Sequence, residues 1–357
     1  MKKFQSIQLN GVIYTAENIG KLLVADEPND SWQNAIFLFL QNWFDDADFI
    51  LAQTSGSTGK PKDIQLKKKA MENSARMTNQ FFGLDADKTA LLCLPASYIA
   101  GKMMLVRALV GGFNLIAVEP KANPFKDLNL PIDFTAITPY QLYHSAESLQ
   151  TKIIRKIIVG GSPVTRKLEE LSAVIPSELY ETYGMTETCS HIALRRFNGN
   201  AKSDCFTVLN GVKIRTDVRG CLAVKAPHVI ENEMQTNDIV ELIDSKSFRW
   251  LGRADSVINS GGIKIHPEQV EKKLEGSIPE PFFIASLSDG LLENKVILVI
   301  ESEKYTVLKE QNLINYLEKH LSKYEFPKQI LYQPSFVYSA GNKVLRKETM
   351  AQIQSNH

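Results

Sequence analysis

The sequence is poor in cysteine and has no long hydrophobic run. Its four cysteines, Cys93, Cys189, Cys205 and Cys221, do not have the spacing of a metal site, and a chain of 357 residues can be stable without disulfide bonds. No segment is as long as a membrane span, and the charged N-terminus is not followed by the apolar segment of a signal peptide. We therefore expect a cytoplasmic protein with no stable membrane association.

The sequence also lacks an excess of charge of either sign. Its 41 Lys and Arg residues nearly balance its 40 Asp and Glu residues, for a net charge of +1. Binding of nucleic acid through bulk charge requires a basic excess, so we expect no nucleic-acid partner. The basic run Lys67-Lys68-Lys69 is typical of a solvated helix start. Internal repeats are absent, and the length predicts two or three domains.

Residues 48–190 alternate short apolar segments with amphipathic ones. The predicted strands are 49–54, 89–94, 114–118, 133–137, 153–159 and 178–183, and the predicted helices are 66–82, 101–110, 139–149 and 164–174. Within the last helix, Val164, Leu168, Leu171 and Ile175 recur at helical spacing. Such alternation predicts a largely parallel sheet covered by helices, with ligands at the carboxyl ends of the strands.

The pattern changes after about residue 204. Short β-rich segments separated by Gly, Asn and Asp predict a β subdomain over residues 204–252. An α+β pattern follows, with helices at 267–274 and 307–320 and strands around 282–287 and 295–301. We therefore expect a large domain over residues 1–252 and a small one over residues 253–357.

The most informative segment is residues 54–62, which read TSGSTGKPK after an apolar run. Glycines let the backbone approach an anion closely, and hydroxyl and ammonium groups add donors, so the segment predicts a polyphosphate site. It is not a P-loop, because that motif requires Gly at the place of Thr54 and Ser or Thr at the place of Pro61. The preceding strand suggests a ligand-facing turn between a strand and a helix, and a simple solvated loop is the alternative.

Four other segments carry candidate functional groups. They are residues 159–163 (VGGSP), 180–188 (YETYGMTET), 250–264 (WLGRADSVINSGGIK) and 341–346 (GNKVLR). Each has an ordinary interpretation when taken alone. The first two segments are consistent with simple turns. In the third, Arg253 and Asp255 are consistent with an ion pair between two domains. In the fourth, Lys343 is consistent with an exposed lysine near the C-terminus.

Taken together, the order and wording of these segments resemble the adenylate-forming superfamily of acyl- and aryl-CoA ligases, adenylation domains and luciferases. The resemblance extends from about Leu51 to Arg346. It implies an α/β fold with a large N-terminal α/β domain, a β subdomain and a small mobile C-terminal α+β domain. The phosphate loop occurs early in this chain, so we expect the large domain to be shortened. The resemblance also implies ATP and Mg²⁺ as cofactors, with a small carboxylic acid and coenzyme A as the other substrates.

The resemblance assigns most of the nucleotide site. It implies that the ATP phosphates bind at Thr54, Ser55, Gly56, Ser57, Thr58, Gly59, Lys60 and Lys62. The adenine ring is expected near Gly161, Ser162 and Pro163 and along the strand residues Glu181, Thr182, Tyr183 and Gly184. Thr186 and Glu187 are expected at the phosphate and the metal ion. The family's ribose motif Thr-Gly-Asp reads Thr-Asn-Asp here, and because Asn tolerates a positive φ we expect Asp238, with Arg253, to bind the ribose.

The small domain is expected to supply the remaining groups. Lys343 matches the family's catalytic lysine, although the order Asn-Gly-Lys is Gly-Asn-Lys here. Asp255 matches the hinge about which the small domain rotates. That rotation brings the loop of Gly261 and Gly262 over the pantetheine of coenzyme A. The oligomeric state is left open, with a homodimer as one candidate.

The acid pocket is expected to begin near Tyr98 and Gly101 and to include Ser190 and His191. Arg107 on the next helix indicates a second carboxylate on the acid, because a guanidinium facing an apolar pocket requires an anionic partner. The alternative is that Arg107 is a surface residue. The segments GGSPV and YGMTETCSH are most similar to the o-succinylbenzoate–CoA ligase branch of the superfamily.

We therefore predict an AMP-forming ligase that converts o-succinylbenzoate to its CoA thioester in menaquinone biosynthesis. The alternatives are another acyl- or aryl-CoA ligase and a non-catalytic nucleotide-binding relative. A carrier-loading adenylation domain is disfavoured because no carrier domain follows residue 357.

Overall fold

The computed structural model of the protein describes residues 4–22, 31–53, 63–338 and 344–355. The strands are β1 (Ser6–Leu9), β2 (Val12–Thr15), β3 (Phe49–Gln53), β4 (Asp63–Lys67), β5 (Thr89–Leu92), β6 (Asn114–Ala117), β7 (Ile132–Ile137), β8 (Ile154–Val159), β9 (Glu178–Gly184), β10 (His191–Arg196), β11 (Phe206–Val208), β12 (Lys213–Thr216), β13 (Cys221–Lys225), β14 (Met234–Leu242), β15 (Ser247–Arg253), β16 (Ile258–Ser260), β17 (Ile263–Ile265), β18 (Phe282–Asp289), β19 (Glu293–Glu301) and β20 (Gln329–Gln333). The α-helices are α1 (Trp32–Phe44), α2 (Lys68–Phe82), α3 (Ile99–Gly111), α4 (Pro139–Leu149), α5 (Arg166–Leu171), α6 (Pro267–Leu274), α7 (Val307–His320) and α8 (Arg346–Ser355). None of the helices described is both long and apolar enough to cross a membrane.

Six parallel strands form the centre of the structure. β1, β6, β5, β7, β8 and β9 lie side by side in this order. The strands predicted between residues 89 and 183 all belong to this group, which confirms the parallel sheet expected for this part of the chain. The predicted helix at 139–149 matches α4, whose first turn contains Pro139 and is closed by a capping box between Thr138 and Gln141.

Helices cover both faces of this sheet. Successive residues of a strand point to opposite faces, and in β5 Leu92 packs in one hydrophobic core while Leu91 packs in the other. The first core contains residues of α2 and α3, such as Met71 and Leu105. The second contains residues of α4 and α5. The carboxyl ends of the parallel strands therefore open between two helical layers, where ligands of such sheets bind.

The prediction for the strand before residue 54 is wrong in one respect. β3 forms as expected but lies outside the parallel sheet, because it pairs in an antiparallel manner with β4, with Gln53 opposite Asp63. The phosphate-loop segment, residues 54–62, thus connects two antiparallel strands rather than a strand and a helix. That segment lies outside the described residues.

The β-rich segment after residue 204 continues the main sheet. β11 pairs with β10, and β15, β14, β13 and β12 follow, so the main sheet has 13 strands among the described residues. A second, five-stranded sheet contains β16 to β20 and has its own hydrophobic core. α6 connects the two sheets, since the Gln269 amide donates to the Leu251 carbonyl oxygen at 2.8 Å. The domain boundary at residue 253 and the mobility of the second part stay predictions.

Candidate active site

The turn between β8 and α5 contains the residues predicted to contact adenine. Gly161, Ser162 and Pro163 are exposed there, at the carboxyl end of a central strand. The neighbouring Gly160 is tightly packed, because a Cβ at this position would lie 2.2 Å from the Thr182 hydroxyl oxygen. Thr182 therefore shapes this turn from the adjacent strand, and its hydroxyl also donates to the Val159 carbonyl oxygen at 3.3 Å.

Glu181 connects the same turn to the interior of the protein. One carboxylate oxygen accepts from the Val164 N–H at 2.8 Å, and the other accepts from two nitrogens of Arg195 at 2.8 and 2.5 Å. Arg195 also donates to Glu169 on α5 at 2.8 Å. The Glu181 side chain is buried and both of its oxygens are engaged. The geometry thus gives Glu181 a role in holding the turn, and direct contact of Glu181 with nucleotide stays a prediction.

Asp238 and Arg253, expected at the ribose, lie beside Tyr183, expected at adenine, so that side chains of three strands meet. The Tyr183 hydroxyl at the end of β9 donates to Asp238 Oδ2 at 2.6 Å. The Trp250 indole Nε1 lies 3.3 Å from Asp238 Oδ1, and the Arg253 guanidinium lies 3.9 Å from the same oxygen. Asp238 and Arg253 face each other in the antiparallel pair β14–β15. Burial, together with the Asp238 charge, raises the pKa of Tyr183, so the phenol remains a hydrogen-bond donor.

The tolerance of asparagine for a positive φ, on which the assignment of Asp238 relied, is not needed at Asn237. Asn237 lies within β14 and is not among the described residues with positive φ. Its side-chain oxygen accepts from Arg219 at 3.2 Å. Glycine is therefore not required here, because the backbone is extended as any residue allows.

The residues predicted as the hinge and as the coenzyme A loop come directly after β15 in the chain. The Arg253 Nε donates to Asp255 Oδ1 at 3.0 Å, and this hydrogen bond lowers the pKa of the Asp255 carboxyl. The pair is local to one turn and does not connect the two sheets. Gly261 and Gly262 form the exposed tip of the β16–β17 hairpin, both with positive φ, as a two-residue hairpin loop of this kind requires.

Thr186 and Glu187 form a short turn after β9. Glu187 is exposed, and its carboxylate has no ion-pair or hydrogen-bond partner among the residues that the structure describes. A free carboxylate beside a hydroxyl fits an oxygen ligand of Mg²⁺, which keeps several waters and takes further ligands from phosphates. The described part of the chain contains no cluster of three or more metal-ligating side chains. Lys343 and the phosphate-loop residues lie outside the described residues.

Arg107 is buried within α3, with 2% of its surface exposed. The surface interpretation of this residue is therefore wrong. One terminal nitrogen donates to Ser190 Oγ at 2.6 Å, and the other lies 3.4 Å from the Met104 sulfur. Its Nε has no acceptor, and no carboxylate of the described residues pairs with the guanidinium. Burial lowers the pKa of Arg107 to about 9, so the group is charged at neutral pH.

Ser190 and His191 surround this guanidinium at the start of β10. His191 is buried, and burial together with the Arg107 charge holds its pKa well below the ordinary value. A tight turn precedes them, in which Cys189 has a φ of 61° and the Ser190 N–H donates to the Thr188 carbonyl oxygen at 2.7 Å. This is a strained conformation for a residue with a side chain. The turn brings Ser190 onto Arg107 directly after the Thr186–Thr188 segment.

Two other predicted pocket residues, Tyr98 and Gly101, lie at the beginning of α3. Tyr98 precedes the helix and is 65% exposed. Gly101 is buried against the backbone, because a Cβ there would lie 2.2 Å from the Pro95 carbonyl oxygen. Gly101 thus permits the close approach of the helix to residues 95–96. Contact of either residue with an acid stays a prediction.

The structure adds residues that sequence reasoning missed. Trp250 reaches Asp238, Arg195 holds Glu181, and Thr78 on α2 lies 3.3 Å from His191. A signal for Thr78 was present, since this polar residue occurs within the buried face of an amphipathic helix. No comparable signal existed for Arg195, because its two glutamate partners are distant in sequence.

Fold and site together define a nucleotide-dependent enzyme of the adenylate-forming class. Residues 13–217 match the family model described as AMP-binding enzyme, and the chain belongs to this family. The predictions of the superfamily, of its fold and of an enzyme are confirmed.

Known relatives agree with this assignment. A 2-succinylbenzoate–CoA ligase from Bacillus cereus (strain ATCC 10987 / NRS 248) is 26% identical over 330 residues, 83% of this chain and 68% of the relative. An acyl-CoA synthetase (AMP-forming)/AMP-acid ligase II-like protein from Dyadobacter fermentans DSM 18053 is 34% identical, with a TM-score of 0.60, over 91% of this chain and 95% of that one. The o-succinylbenzoate CoA synthetase of Bacillus subtilis, solved with its acyl-adenylate intermediate, shares the fold with a TM-score of 0.71 at 23% identity over 84% of this chain and 68% of that one.

Proposed function

We propose that this protein is an ATP-dependent ligase that activates a carboxylic acid as an acyl-adenylate and transfers the acyl group to coenzyme A. We further propose that the acid is o-succinylbenzoate and that its CoA thioester serves menaquinone biosynthesis. The names of the relatives and the position of Arg107 support this proposal. The cytoplasmic location and the oligomeric state stay predictions.

The burial of Arg107 carries the choice of acid. A guanidinium removed from water without an anionic partner is unfavourable, and its Nε has no acceptor among the described residues. A carboxylate of the substrate would supply that acceptor. Since one carboxylate of the acid must react with ATP, the arginine indicates a second one. o-Succinylbenzoate has two carboxylates, on an aromatic and an aliphatic carbon, and therefore meets this requirement.

The reaction needs no nucleophilic side chain. An oxygen of the reacting carboxylate attacks the α-phosphorus of ATP, the bond to the β-phosphate oxygen breaks, and pyrophosphate leaves. The CoA thiol then attacks the acyl carbon of the adenylate and loses its proton, and AMP departs with the bonding electron pair. Negative charge increases at the α-phosphate in the first step, so preorganised positive groups lower its barrier. Mg²⁺ would neutralise part of that charge when bound.

The residues of this chain then have distinct tasks. We propose that residues 54–62 bind the phosphates, that Glu187 holds the metal ion and that Lys343 contacts the α-phosphate. Asp238 would accept hydrogen bonds from the ribose hydroxyls, and Arg253 would donate to them. The turn at Gly161 would contact adenine. Rotation about Asp255 would exchange Lys343 for the Gly261–Gly262 hairpin before the thiol attacks.

Pyrophosphate release with ATP, screened over o-succinylbenzoate, benzoate and fatty acids with and without CoA, tests the proposal. We expect turnover of o-succinylbenzoate and formation of its thioester. In Arg107→Met, the KM for o-succinylbenzoate should rise by about 10- to 100-fold, because a charged hydrogen bond contributes about 1.5–3 kcal/mol. The KM for ATP should stay within about twofold of the wild-type value.

Arg155→Met is the matched control, because the Arg155 side chain is 74% exposed and makes a surface ion pair with Asp133. It should leave both KM values unchanged. An unchanged acid KM in Arg107→Met would contradict the dicarboxylate argument. Turnover of benzoate or fatty acids alone would favour another CoA ligase, and no release with any acid would favour a non-catalytic relative.

A further inference from the structure

A continuous row of polar side chains runs from Arg107 into the protein interior. Arg107 donates to Ser190 Oγ at 2.6 Å, and Ser190 Oγ lies 3.3 Å from His191 Nδ1. On the other side of the ring, His191 Nε2 lies 3.3 Å from the Thr78 hydroxyl oxygen. Thr78 in turn donates to the Ser74 carbonyl oxygen at 3.2 Å. The row thus connects β10 with two helices, α2 and α3.

The chemistry of these groups allows one direction for each link. A guanidinium has donors only, so the Ser190 oxygen accepts from Arg107 and the Ser190 proton is free to point to His191. At the other end of the row, the Ser74 carbonyl oxygen can only accept, so Thr78 gives its proton there and accepts from His191 Nε2–H. In a neutral ring protonated at Nε2, Nδ1 is the acceptor and receives the Ser190 proton. All four links are consistent with a neutral imidazole, as the depressed pKa of His191 requires.

We propose that His191 is a positioning residue of the acid site, and that Thr78 selects the tautomer with which it acts. His191 does not touch the acid. It draws the Ser190 proton away from Arg107, so that Ser190 holds the guanidinium as an acceptor while Nε is left for the second carboxylate of the acid. This inference rests on the proposed function and extends it to residues behind the pocket.

A buried histidine that merely fills the core is the competing explanation. The two explanations differ in one expectation. Only the positioning role predicts that loss of a hydrogen bond in the row weakens binding of the acid, and that it does so through Arg107. Thr78→Val tests this sharply, because it removes a hydroxyl that is three links away from Arg107 while keeping the shape of the side chain. Thr135→Val is the matched control, since Thr135 is also buried and donates to a backbone carbonyl oxygen, that of Leu91 at 2.9 Å, outside this row.

The first measurement is a double-mutant cycle on the full-length protein. Thr78→Val should raise the KM for o-succinylbenzoate by about 3- to 10-fold, the effect of one lost hydrogen bond, with an unchanged KM for ATP. In an Arg107→Met background the same change should have no effect on the acid KM. Thr135→Val should leave the acid KM unchanged in both backgrounds.

The second measurement is the tautomer of His191, which can be read without turnover. In ¹⁵N-histidine-labelled protein at pH 7, the His191 signal, assigned by its loss in His191→Gln, should be that of a neutral ring protonated at Nε2. In Thr78→Val the fraction of that tautomer should fall. An Nδ1-protonated or cationic ring in the wild type would overturn the proposed row.

The outcomes separate this inference from the function on which it rests. Turnover of o-succinylbenzoate with equal effects of Thr78→Val in both backgrounds overturns the positioning role alone. A fall in kcat and thermal stability with an unchanged acid KM does the same, since it indicates a core-filling role. Absence of turnover with every acid overturns both proposals.

Discussion

The Tyr183 hydroxyl donates a hydrogen bond to Asp238 Oδ2 at 2.6 Å and thereby joins the end of β9 to β14. The adenine-side strand and the proposed ribose ligand are thus connected before any nucleotide arrives. The Trp250 indole approaches the other carboxylate oxygen, so the carboxylate is held from two sides. A ligand fixed in this way loses less conformational entropy on binding.

Asp238→Asn should weaken ATP binding and leave acid binding intact. The substitution removes the negative charge of the proposed acceptor of the ribose hydroxyls. A hydrogen bond with one charged partner contributes about 1.5–3 kcal/mol to binding. We expect the KM for ATP to rise by about 10-fold or more, with the KM for the acid within about twofold. Tyr183→Phe should have a smaller effect of the same kind, because Trp250 still holds the carboxylate. Equal changes in both KM values would contradict the ribose assignment.

Gly160→Ala should destabilise the protein through one specific contact. The new methyl group would lie 2.2 Å from the Thr182 hydroxyl oxygen, and overpacking of this kind costs about 1–3 kcal/mol. Urea unfolding measures the loss. Adding Thr182→Ala should restore most of the stability, because the next nearest atom, the Thr182 Cβ, lies at an ordinary 3.5 Å. If the double variant is no more stable than Gly160→Ala, the clash is not the cause.

Arg195→Met should be strongly destabilising. It leaves the buried carboxylates of Glu181 and Glu169 without their shared cation, and breaking one partner of a buried pair costs about 3–5 kcal/mol. Lys202, which lies 2.8 Å from Glu169, compensates only that carboxylate. The free energy of unfolding in urea is the measurement. Arg155→Met, at an exposed ion pair, should change it by less than about 1 kcal/mol. Similar losses for the two variants would contradict the role of the buried network.

His191 should make the stability depend on pH below about 6.5. Its folded pKa is depressed by burial and by Arg107, so the unfolded chain takes up a proton that the folded chain does not. This contribution is absent at higher pH and destabilises the protein as the pH falls. Between pH 7.5 and 5.5 the loss from one such group is about 1.4 kcal/mol.

Comparison of variants isolates that contribution. In His191→Gln the fall in the free energy of unfolding between the two pH values should be smaller by about 1.4 kcal/mol. His144→Gln is the control, since His144 is exposed and should leave the pH dependence unchanged. An unaltered pH dependence in His191→Gln would show that the buried ring is not a source of it.

Local pattern was sufficient to predict many elements. The ends of α4, α6 and α7 match the predicted helices, and five of the six central parallel strands, all except β1, were found by their apolar runs. Periodicity and capping residues act over a few positions, so one sequence carries them. The pairing of β3 with β4 was missed, because strand partners depend on which backbone edges meet in space.

The candidate site divides in the same way. The family resemblance assigned Tyr183 to adenine and Asp238 and Arg253 to the ribose, and the structure brings these three side chains together. For Arg107 the sequence left two alternatives open, a residue of the acid pocket and a residue of the helix surface. Only packing shows that it is buried, because its helix is apolar on nearly all sides and gives no periodic indication of an exposed face.

By itself, the sequence determined the family, the class of chemistry and many of the strands and helices, since these follow from short motifs and local periodicity. The tertiary structure decided which charges are buried and what each one contacts. It placed Arg107 without a carboxylate partner among the described residues. It also placed Arg195 between Glu181 and Glu169, and the Thr78 hydroxyl within hydrogen-bond distance of His191. Such relationships arise between residues far apart in the chain, because burial and hydrogen-bond direction are set by neighbours that only folding brings together.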